Sequence, residues 1–370
     1  MMRSWQCRVR TVVLSLNVPV SVPEQVNLTN TIATCTQRRF DLQATSQAQL
    51  AATTSGALAS LEQVRDDVWA LPLPMPGGHI PFSLCYLVVD EKGAVHVVDP
   101  GWDSDENLRI IVASLTQLGK IIGDVVSITV THLHPDHLGM AKRLRGESGA
   151  PVALHRQEQF AIEQLIMEST RARDESFPFA EWGVPEGRRP ELESVALEHS
   201  RIAAFTADIL LDDGERLNIP GRELVVIHTP GHTVGHISLR DAAQHLLFTG
   251  DHVLPVIYPG LGLGGSSNSN ALRDYLDSLD GVARFDDHEV LPGHEFRFNG
   301  LAERCEAIAA HHLRRSRQVA DALAGNPDAS VWEIASTLTW TAGWGNLRGF
   351  YAYSALSQTA MHVDYLRQEH

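Results

Sequence analysis

The stretch 131–139, Thr-His-Leu-His-Pro-Asp-His-Leu-Gly, decides the fold of this chain. It places three histidines and one aspartate within six positions, directly after the apolar, β-branched run 125–130, which predicts a buried strand. Side chains two positions apart on an extended backbone face the same way, so His132 and His134 should lie on one side of the loop. Asp136 and the histidine after it follow a turn into a helix predicted at about 136–145, and they can face a neighbouring position. One short loop can therefore supply ligands for two metal ions.

Four further strand ends share this layout of a His or Asp beside a glycine or proline turn. They carry, in chain order, Asp99 after the run 95–98, His232 after 224–229, Asp251 after 246–249 and His294 after 289–291. Loops mounted on a rigid scaffold commonly carry the chemistry of an enzyme. The repeated layout therefore indicates one composite site rather than a chance cluster of histidines on a surface loop.

The pattern resembles the metallo-β-lactamase superfamily of metal-dependent hydrolases over about residues 68 to 295. The His-x-His-x-Asp-His signature is matched by residues 132–137, and the other family positions follow in the expected order. The resemblance implies an α/β fold, specifically an αββα sandwich, that binds two divalent metal ions. Zinc is the expected metal, and iron or manganese are alternatives for such a ligand set.

The resemblance also assigns the ligands. They are His132, His134 and His232 for one ion, Asp136, His137 and His294 for the other, and Asp251 as the bridge between the two. Asp99 is then expected to orient a ligand histidine from outside the coordination sphere, with a plain turn-forming role as the alternative.

The expected chemistry follows from the metal pair. Two ions about 3.5–4 Å apart can share a hydroxide and polarise a substrate oxygen, so that no serine or cysteine nucleophile is needed. Asp136 and Asp251 are the predicted catalytic carboxylates. The leading hypothesis is a hydrolase of an ester, thioester or lactone of a small molecule. The alternatives are a phosphodiesterase or endoribonuclease and, less favoured, a di-iron redox protein.

Several positions bear on the substrate. His155, Tyr258 and Trp182 are candidates for a substrate pocket, and the Pro- and Gly-rich segment 72–79 is a candidate substrate-facing flap or a plain strand connection. No cysteine stands at a ligand position, unlike in one class of zinc β-lactamases. Leu254 stands where lactone-opening relatives usually carry a tyrosine shortly after the bridging acid.

Composition narrows the partners of the chain. Its 370 residues carry a formal net charge of −15, which disfavours nucleic acid on average, although a local basic patch could override this. The four cysteines are scattered, which favours a reducing cytoplasm over a disulfide framework. No apolar run approaches the roughly 18 residues of a membrane span. A small-molecule substrate, no membrane partner and a possible homodimer are therefore expected.

The sequence divides into three parts. Residues 1–60, rich in Thr, Ser, Gln and Ala, predict a disordered N-terminal extension, with a cleaved export signal as the weaker alternative. Residues 61–298 form the predicted catalytic domain, with an insertion at about 157–200. Residues 299–370 predict three helices, at 301–323, 331–338 and 351–366, and resemble the winged-helix-like module of lactamase-like ribonucleases.

Overall fold

A computed structural model describes residues 42–76, 80–171, 177–199, 204–264, 269–340 and 342–368. Within these residues the strands are β1 Gln43–Ala44, β2 Glu62–Arg65, β3 Val68–Pro74, β4 Phe82–Val89, β5 Val95–Val98, β6 Val125–Thr129, β7 Val152–His155, β8 Ile209–Leu211, β9 Leu224–His228, β10 Ile237–Asp241, β11 Leu246–Gly250, β12 Glu289–Pro292 and β13 Phe298–Asn299. The α-helices are α1 Gln47–Ser55, α2 Asp105–Gln117, α3 Pro135–Leu138, α4 Ala141–Ser148, α5 Arg156–Arg171, α6 Arg189–His199, α7 Ala271–Ala283, α8 Leu301–Gly325, α9 Val331–Thr337 and α10 Gly349–Gln368.

The strands form two sheets that face each other. One has the order β1-β13-β12-β11-β10-β9 and the other β2-β3-β4-β5-β6-β7-β8. In the second sheet β2 to β5 are antiparallel, whereas β5 to β8 are parallel and end at the same edge. At that edge the sheets meet, because Ser83 forms a bridge with His294 and Leu84 N donates to Gly293 O over 2.7 Å.

Alternation along the central strands creates the layers. The even-numbered residues 82–88 of β4 lie in the apolar cluster between the two sheets, whereas Cys85 and Leu87 lie in a second cluster with Ile111 of α2 and Leu144 of α4. On the far side of the other sheet, Leu247 packs with residues of α7 and α8. Each fully buried large apolar side chain contributes about 1.5–3 kcal/mol. The predicted αββα sandwich is confirmed.

The predicted N-terminal extension is too long. Strand β1 pairs with β13, and α1 begins at a cap in which Ser46 Oγ accepts from Gln49 N over 3.0 Å. The Gln49 side chain is buried and its Oε1 accepts from Arg297 N over 3.0 Å. Residues 42–60 therefore belong to the sandwich, because their backbone completes a sheet edge, while 1–41 lie outside the described residues.

The single helix predicted at about 136–145 is also wrong. The structure has two, α3 and α4, separated at Gly139 and Met140. Met140 N donates to Gly101 O over 2.8 Å instead of continuing the helical ladder. A Cβ on Gly139 would lie 2.2 Å from Pro135 O, so only glycine allows this tight turn.

The C-terminal part is helical, as predicted, in α8, α9 and α10. Described residues 301–340 and 342–368 contain no strand, so the wing of a winged-helix module is not present among them. The insertion packs on these helices, since Phe179 and Leu192 share an apolar cluster with Ala335 and Leu356. In the described part of the chain, no helix is long and apolar enough to cross a membrane. In the proposed flap, residues 72–74 belong to β3 and 77–79 lie outside the described residues.

Candidate metal centre

The ends of four strands bring seven His and Asp side chains together at one edge of the sandwich. The loop after β6 supplies the histidines and aspartate of the 131–139 stretch, and the loops after β9, β11 and β12 supply His232, Asp251 and His294. The side chains form two groups. Within each group the potential ligand atoms all lie within 4.8 Å of one another. The first group is His132, His134, His232 and Asp251; the second is Asp136, His137 and His294.

The first group is arranged around His134. The Nδ1 atom of His134 lies 2.9 Å from Nε2 of His132 and 3.0 Å from Nε2 of His232. The latter Nε2 also lies 3.6 Å from Oδ2 of Asp251. His132 and His232 are buried, so these atoms face each other with little access to water.

The second group is centred on His294. Its Nε2 lies 3.1 Å from Oδ2 of Asp136 and 3.4 Å from Nε2 of His137. Asp251 Oδ1 lies 3.4 Å from the Nε2 atoms of both His137 and His294. Asp251 therefore turns one carboxylate oxygen towards each group, and its buried Oδ1 has no hydrogen-bond donor within the described residues.

The hydrogen bonds of the first group fix which ring nitrogens carry protons. His134 Nε2 donates to Leu263 O over 2.9 Å, and His232 Nδ1 donates to Gly260 O over 2.6 Å. Thr131 Oγ1 donates to Asp99, so it accepts from Nδ1 of His132 at 3.0 Å. The remaining nitrogens of all three rings are thus lone pairs that converge on one point.

The second group repeats this logic. His137 Nδ1 donates to Asp99 Oδ2 over 2.9 Å, and His294 Nδ1 donates to Phe82 O over 3.1 Å. Their Nε2 atoms face each other and the carboxylates of Asp136 and Asp251. Lone pairs at about 3 Å repel unless a proton or a metal ion lies between them, and neutral imidazole with carboxylate is a common set of metal ligands. The residues therefore fit one divalent ion per group.

The pKa shifts in the metal-free protein separate the two groups. Burial lowers the pKa of His132, His134 and His232, the last to about 4, so these rings are neutral at pH 7. In the second group burial acts in the same direction, but Asp251 and Asp136 outweigh it and raise the pKa of His294 to about 10. The histidines of the second group are therefore protonated at pH 7 when no metal is bound, because the neighbouring carboxylates favour a positive charge there.

The comparisons with known proteins agree with this geometry. The family model described as "Metallo-beta-lactamase superfamily" matches residues 81–294, which is more than half of the chain. The chain belongs to the metallo-beta-lactamase superfamily. The matched range contains all seven residues of the two groups and ends on His294.

Three relatives illustrate the range of the match. The chain is 29% identical over 191 residues to the acyl-coenzyme A thioesterase MBLAC2 of Homo sapiens, an alignment that covers 50% of this chain and 61% of that protein. It is 25% identical over 182 residues to the hydroxyacylglutathione hydrolase GloC of Haemophilus influenzae, with 49% and 68% covered. A metallo-beta-lactamase family protein of Thermus thermophilus superposes with a TM-score of 0.68 at 28% identity, covering 83% of this chain and 95% of that one.

Asp99 supports the metal centre through hydrogen bonds to Thr131 and His137. Its Oδ1 accepts from Thr131 N over 2.7 Å, and its Oδ2 accepts from Thr131 Oγ1 and from His137. Asp99 has a backbone φ of +52°, a strained value that these bonds hold in place. It thus links the first turn of the metal loop to a histidine of the second group, without itself facing either group of lone pairs.

Sequence reasoning missed several supporting residues. Glu158 accepts from two backbone amides within the metal loops. His236 was not among those missed, because its place beside the motif predicts a supporting or packing role, and its Nε2 accepts from Asp251 N over 3.2 Å. The carbonyls of Gly260 and Leu263 orient two of the histidines. The contacts of Glu158 and of these two carbonyls involve backbone atoms, which leave no signature in the spacing of side chains along the sequence. Gly293 stood within a recognised Pro-Gly-His motif, and the closeness of that turn to the ligands was the available signal.

The three candidates for the substrate pocket contact residues outside the metal centre. His155 stacks on His228 with ring centroids 4.3 Å apart. Tyr258 stacks on His311 of α8 at 3.9 Å. Trp182 packs in the aromatic cluster of the insertion. Within the described residues, none of these contacts reaches the seven ligand candidates, so their role in a pocket stays a prediction.

A third group, formed by His245, Asp287 and His288, has different chemistry. Arg240 Nε donates to His288 Nε2 over 3.1 Å, so His288 Nδ1 carries the proton that it donates to Asp287 over 2.7 Å. The nitrogen that faces the carboxylate is therefore a donor and not a lone pair. This arrangement is a hydrogen-bonded cluster in which His288 donates to the carboxylate. In the two groups of the metal centre, by contrast, ring nitrogens that donate to no backbone carbonyl converge.

Proposed function

We propose that this protein is a dinuclear metal-dependent hydrolase that cleaves a small-molecule thioester, within the broader class of esters, thioesters and lactones. The observation that carries the proposal is the position of Asp251. One of its oxygens faces the lone pairs of the first group and the other faces those of the second. A carboxylate in that position can bridge two ions and offset part of their charge.

The ligand set favours zinc, and iron or manganese suit it as well. Bound divalent ions would supply an activated water and polarise the substrate carbonyl. The protein contributes the rest. Asp99 and the carbonyls of Gly260, Leu263 and Phe82 accept from one nitrogen of each ring and so turn the other nitrogen towards the position of the metal ion. Orientation is thus present before any ion binds.

Asp136 is the proposed proton carrier of the reaction. Its side chain is 14% exposed, compared with 0% for His137 and 1% for His294, so it is the member of the second group that substrate and water can reach. The neighbouring histidines lower its pKa against the effect of burial. The carboxylate is therefore ionised at neutral pH and available as a proton acceptor. It would take a proton from the water that attacks the carbonyl and give it to the thiolate sulfur that leaves.

Two relatives support the thioester class. One is named as an acyl-coenzyme A thioesterase and the other as a hydroxyacylglutathione hydrolase. Both names describe the hydrolysis of a thioester, although the carrier differs. The chain spans 61% of the length of the human relative, so the choice of carrier remains part of the proposal.

The test is a hydrolysis panel with metal-loaded protein, containing a thioester, a lactone, an aryl ester, a phosphodiester and a short RNA. We expect turnover of the thioester, two metal ions per chain, and loss of both turnover and the second ion in Asp251→Asn. Asp287→Asn is the matched control, because it removes an exposed carboxylate from the third group and should keep full activity. Turnover of only the phosphodiester or RNA would replace the proposal with the nuclease alternative. Full metal content in Asp251→Asn would refute the bridge.

A further inference from the structure

Glu158 is a buried carboxylate that the site described above does not use as a ligand. It lies in the first turn of α5, and its side chain is fully buried. Among the ion pairs of the described residues, none includes Glu158, and burial raises its pKa to about 7. Burying a carboxyl group without a cation costs several kcal/mol, so its retention calls for a specific partner.

Glu158 accepts from two backbone amides in the two loops that carry the first group, and the hydroxyl of Thr233, in the second of these loops, also stabilises its charged form. Leu133 N donates to Oε1 over 2.8 Å, and Leu133 stands between His132 and His134. Gly235 N donates to Oε2 over 2.7 Å, three residues after His232. One side chain therefore ties together the two loops that hold all three imidazoles of this group.

The loop around Gly235 is built for this contact. A Cβ at this position would lie 2.1 Å from Glu158 N and 2.7 Å from its Cα, so any other residue would push the loop away from the helix. Glycine thus permits a close approach of backbone to backbone. The approach brings the amide within reach of the carboxylate.

The contact also requires two acceptors. Glutamine has nearly the same size but offers one acceptor oxygen, and its NH2 group would face a second N–H donor. Aspartate keeps both acceptors but is one methylene shorter. Of the side chains of this length, only glutamate can accept from both loops together.

We infer that Glu158 is a positioning residue that sets the separation of the His132–His134 loop from the His232 loop, and thereby the metal affinity of the first group. This inference rests on the proposed metal centre. Residues that orient ligands from outside the coordination sphere typically change metal affinity by about 10- to 100-fold. We therefore expect a loss in that range for the first group when one of the two bonds is removed.

The experiment measures cobalt binding to the full chain, by visible absorption and by competition with a chelator. Glu158→Gln is expected to bind the first equivalent about 10- to 100-fold more weakly, with an altered cobalt spectrum. Glu163→Gln is the matched control, because Glu163 lies five residues further along α5, is exposed, and accepts from the side chain of Gln159 rather than from a metal loop. It should retain the wild-type spectrum and affinity.

The outcomes separate the two proposals. A wild-type chain that binds no cobalt would overturn the metal centre and this inference with it. A wild-type chain that binds cobalt, together with Glu158→Gln that binds equally tightly with the same spectrum, would overturn the role of Glu158 alone. If Glu158→Gln does not fold, Glu158→Asp decides: weakened affinity in folded protein supports the inference, and unchanged affinity refutes it.

Discussion

Gly293 offers the sharpest test of how tightly the metal centre is packed. It precedes His294, and its amide donates to Gly250 O over 2.7 Å, which joins the turns after β11 and β12. A Cβ at this position would lie 2.5 Å from Asp251 Oδ1 and 2.6 Å from Cε1 of His137. Ordinary contact begins at about 3.4 Å, so Gly293→Ala must displace both side chains by several tenths of an ångström.

The displacement falls on residues of both groups. Asp251 can rotate away only by turning Oδ1 from the second group, and the His137 ring is fully buried. A misplacement of about 1 Å can cost about 100-fold in rate, which corresponds to roughly 2.7 kcal/mol of transition-state stabilisation. The cost in folding stability should be about 1–3 kcal/mol, which typical domains tolerate.

The assay compares metal content, kcat/KM on the thioester and the free energy of unfolding in denaturant. Gly293→Ala should fold and lose about 100-fold in kcat/KM together with metal of the second group. Gly281→Ala in α7 is the control, since nothing lies within 4 Å of its added Cβ and alanine stabilises a helix by about 1 kcal/mol. Wild-type metal content and activity in Gly293→Ala would show that the centre yields easily and that the packing argument is mistaken.

Three further predictions concern parts of the molecule around the centre. Metal binding to the second group should release protons and tighten roughly tenfold per pH unit for each proton released, between about pH 6 and 8. The carboxylates raise the pKa of His294 to about 10 and that of His137 well above its ordinary value, so both rings must lose a proton to bind metal. Binding to the first group, in which the pKa of His232 is about 4, should barely depend on pH. Calorimetry in buffers of different ionisation enthalpy measures the protons released, and equal release from both groups would contradict this prediction. Arg304→Lys should lower the free energy of unfolding by about 2–3 kcal/mol and reduce kcat/KM, because the buried guanidinium donates to three backbone carbonyls that an ammonium group cannot reach together. A variant with the denaturation midpoint of the wild type would argue against this role of Arg304. Ser46→Ala should lower the free energy of unfolding by about 1 kcal/mol, because it removes the cap of α1. Chemical denaturation measures this loss, and an unchanged free energy of unfolding would mean that the cap of α1 does not stabilise the fold.

The composite site could be predicted because its geometry follows from strand direction. Parallel strands end at the same edge of a sheet, so histidines that follow β6 and acids that follow β5 must lie close together. The bridge between Ser83 and His294 brings the sheet that contains β12 to the same edge. The order of the motifs along the chain thus determines which side chains converge, and the structure brings together all seven predicted ligand candidates.

The remaining features could not be predicted because they depend on backbone partners and on tertiary context. Glu158 resembles any helix residue in the sequence, and only the fold shows that it reaches two loop amides. The break between α3 and α4 depends on the carbonyl of Gly101, which lies 39 positions before the amide it accepts from. The polar composition of residues 42–60 suggested disorder, yet β13 supplies a sheet edge that orders them.

The C-terminal helices belong to the catalytic unit rather than standing beside it. Arg304 of α8 donates to the carbonyls of Leu254, Val256 and Ile257, and Glu295, directly after His294, accepts from the amides of the last two. This segment joins Asp251 to the carbonyl of Gly260 that orients His232. A shift of α8 would therefore move the bridge and a ligand of the first group together. The C-terminal helices thus support this backbone together with Glu295, Arg304 through its carbonyls and Glu295 through its amides.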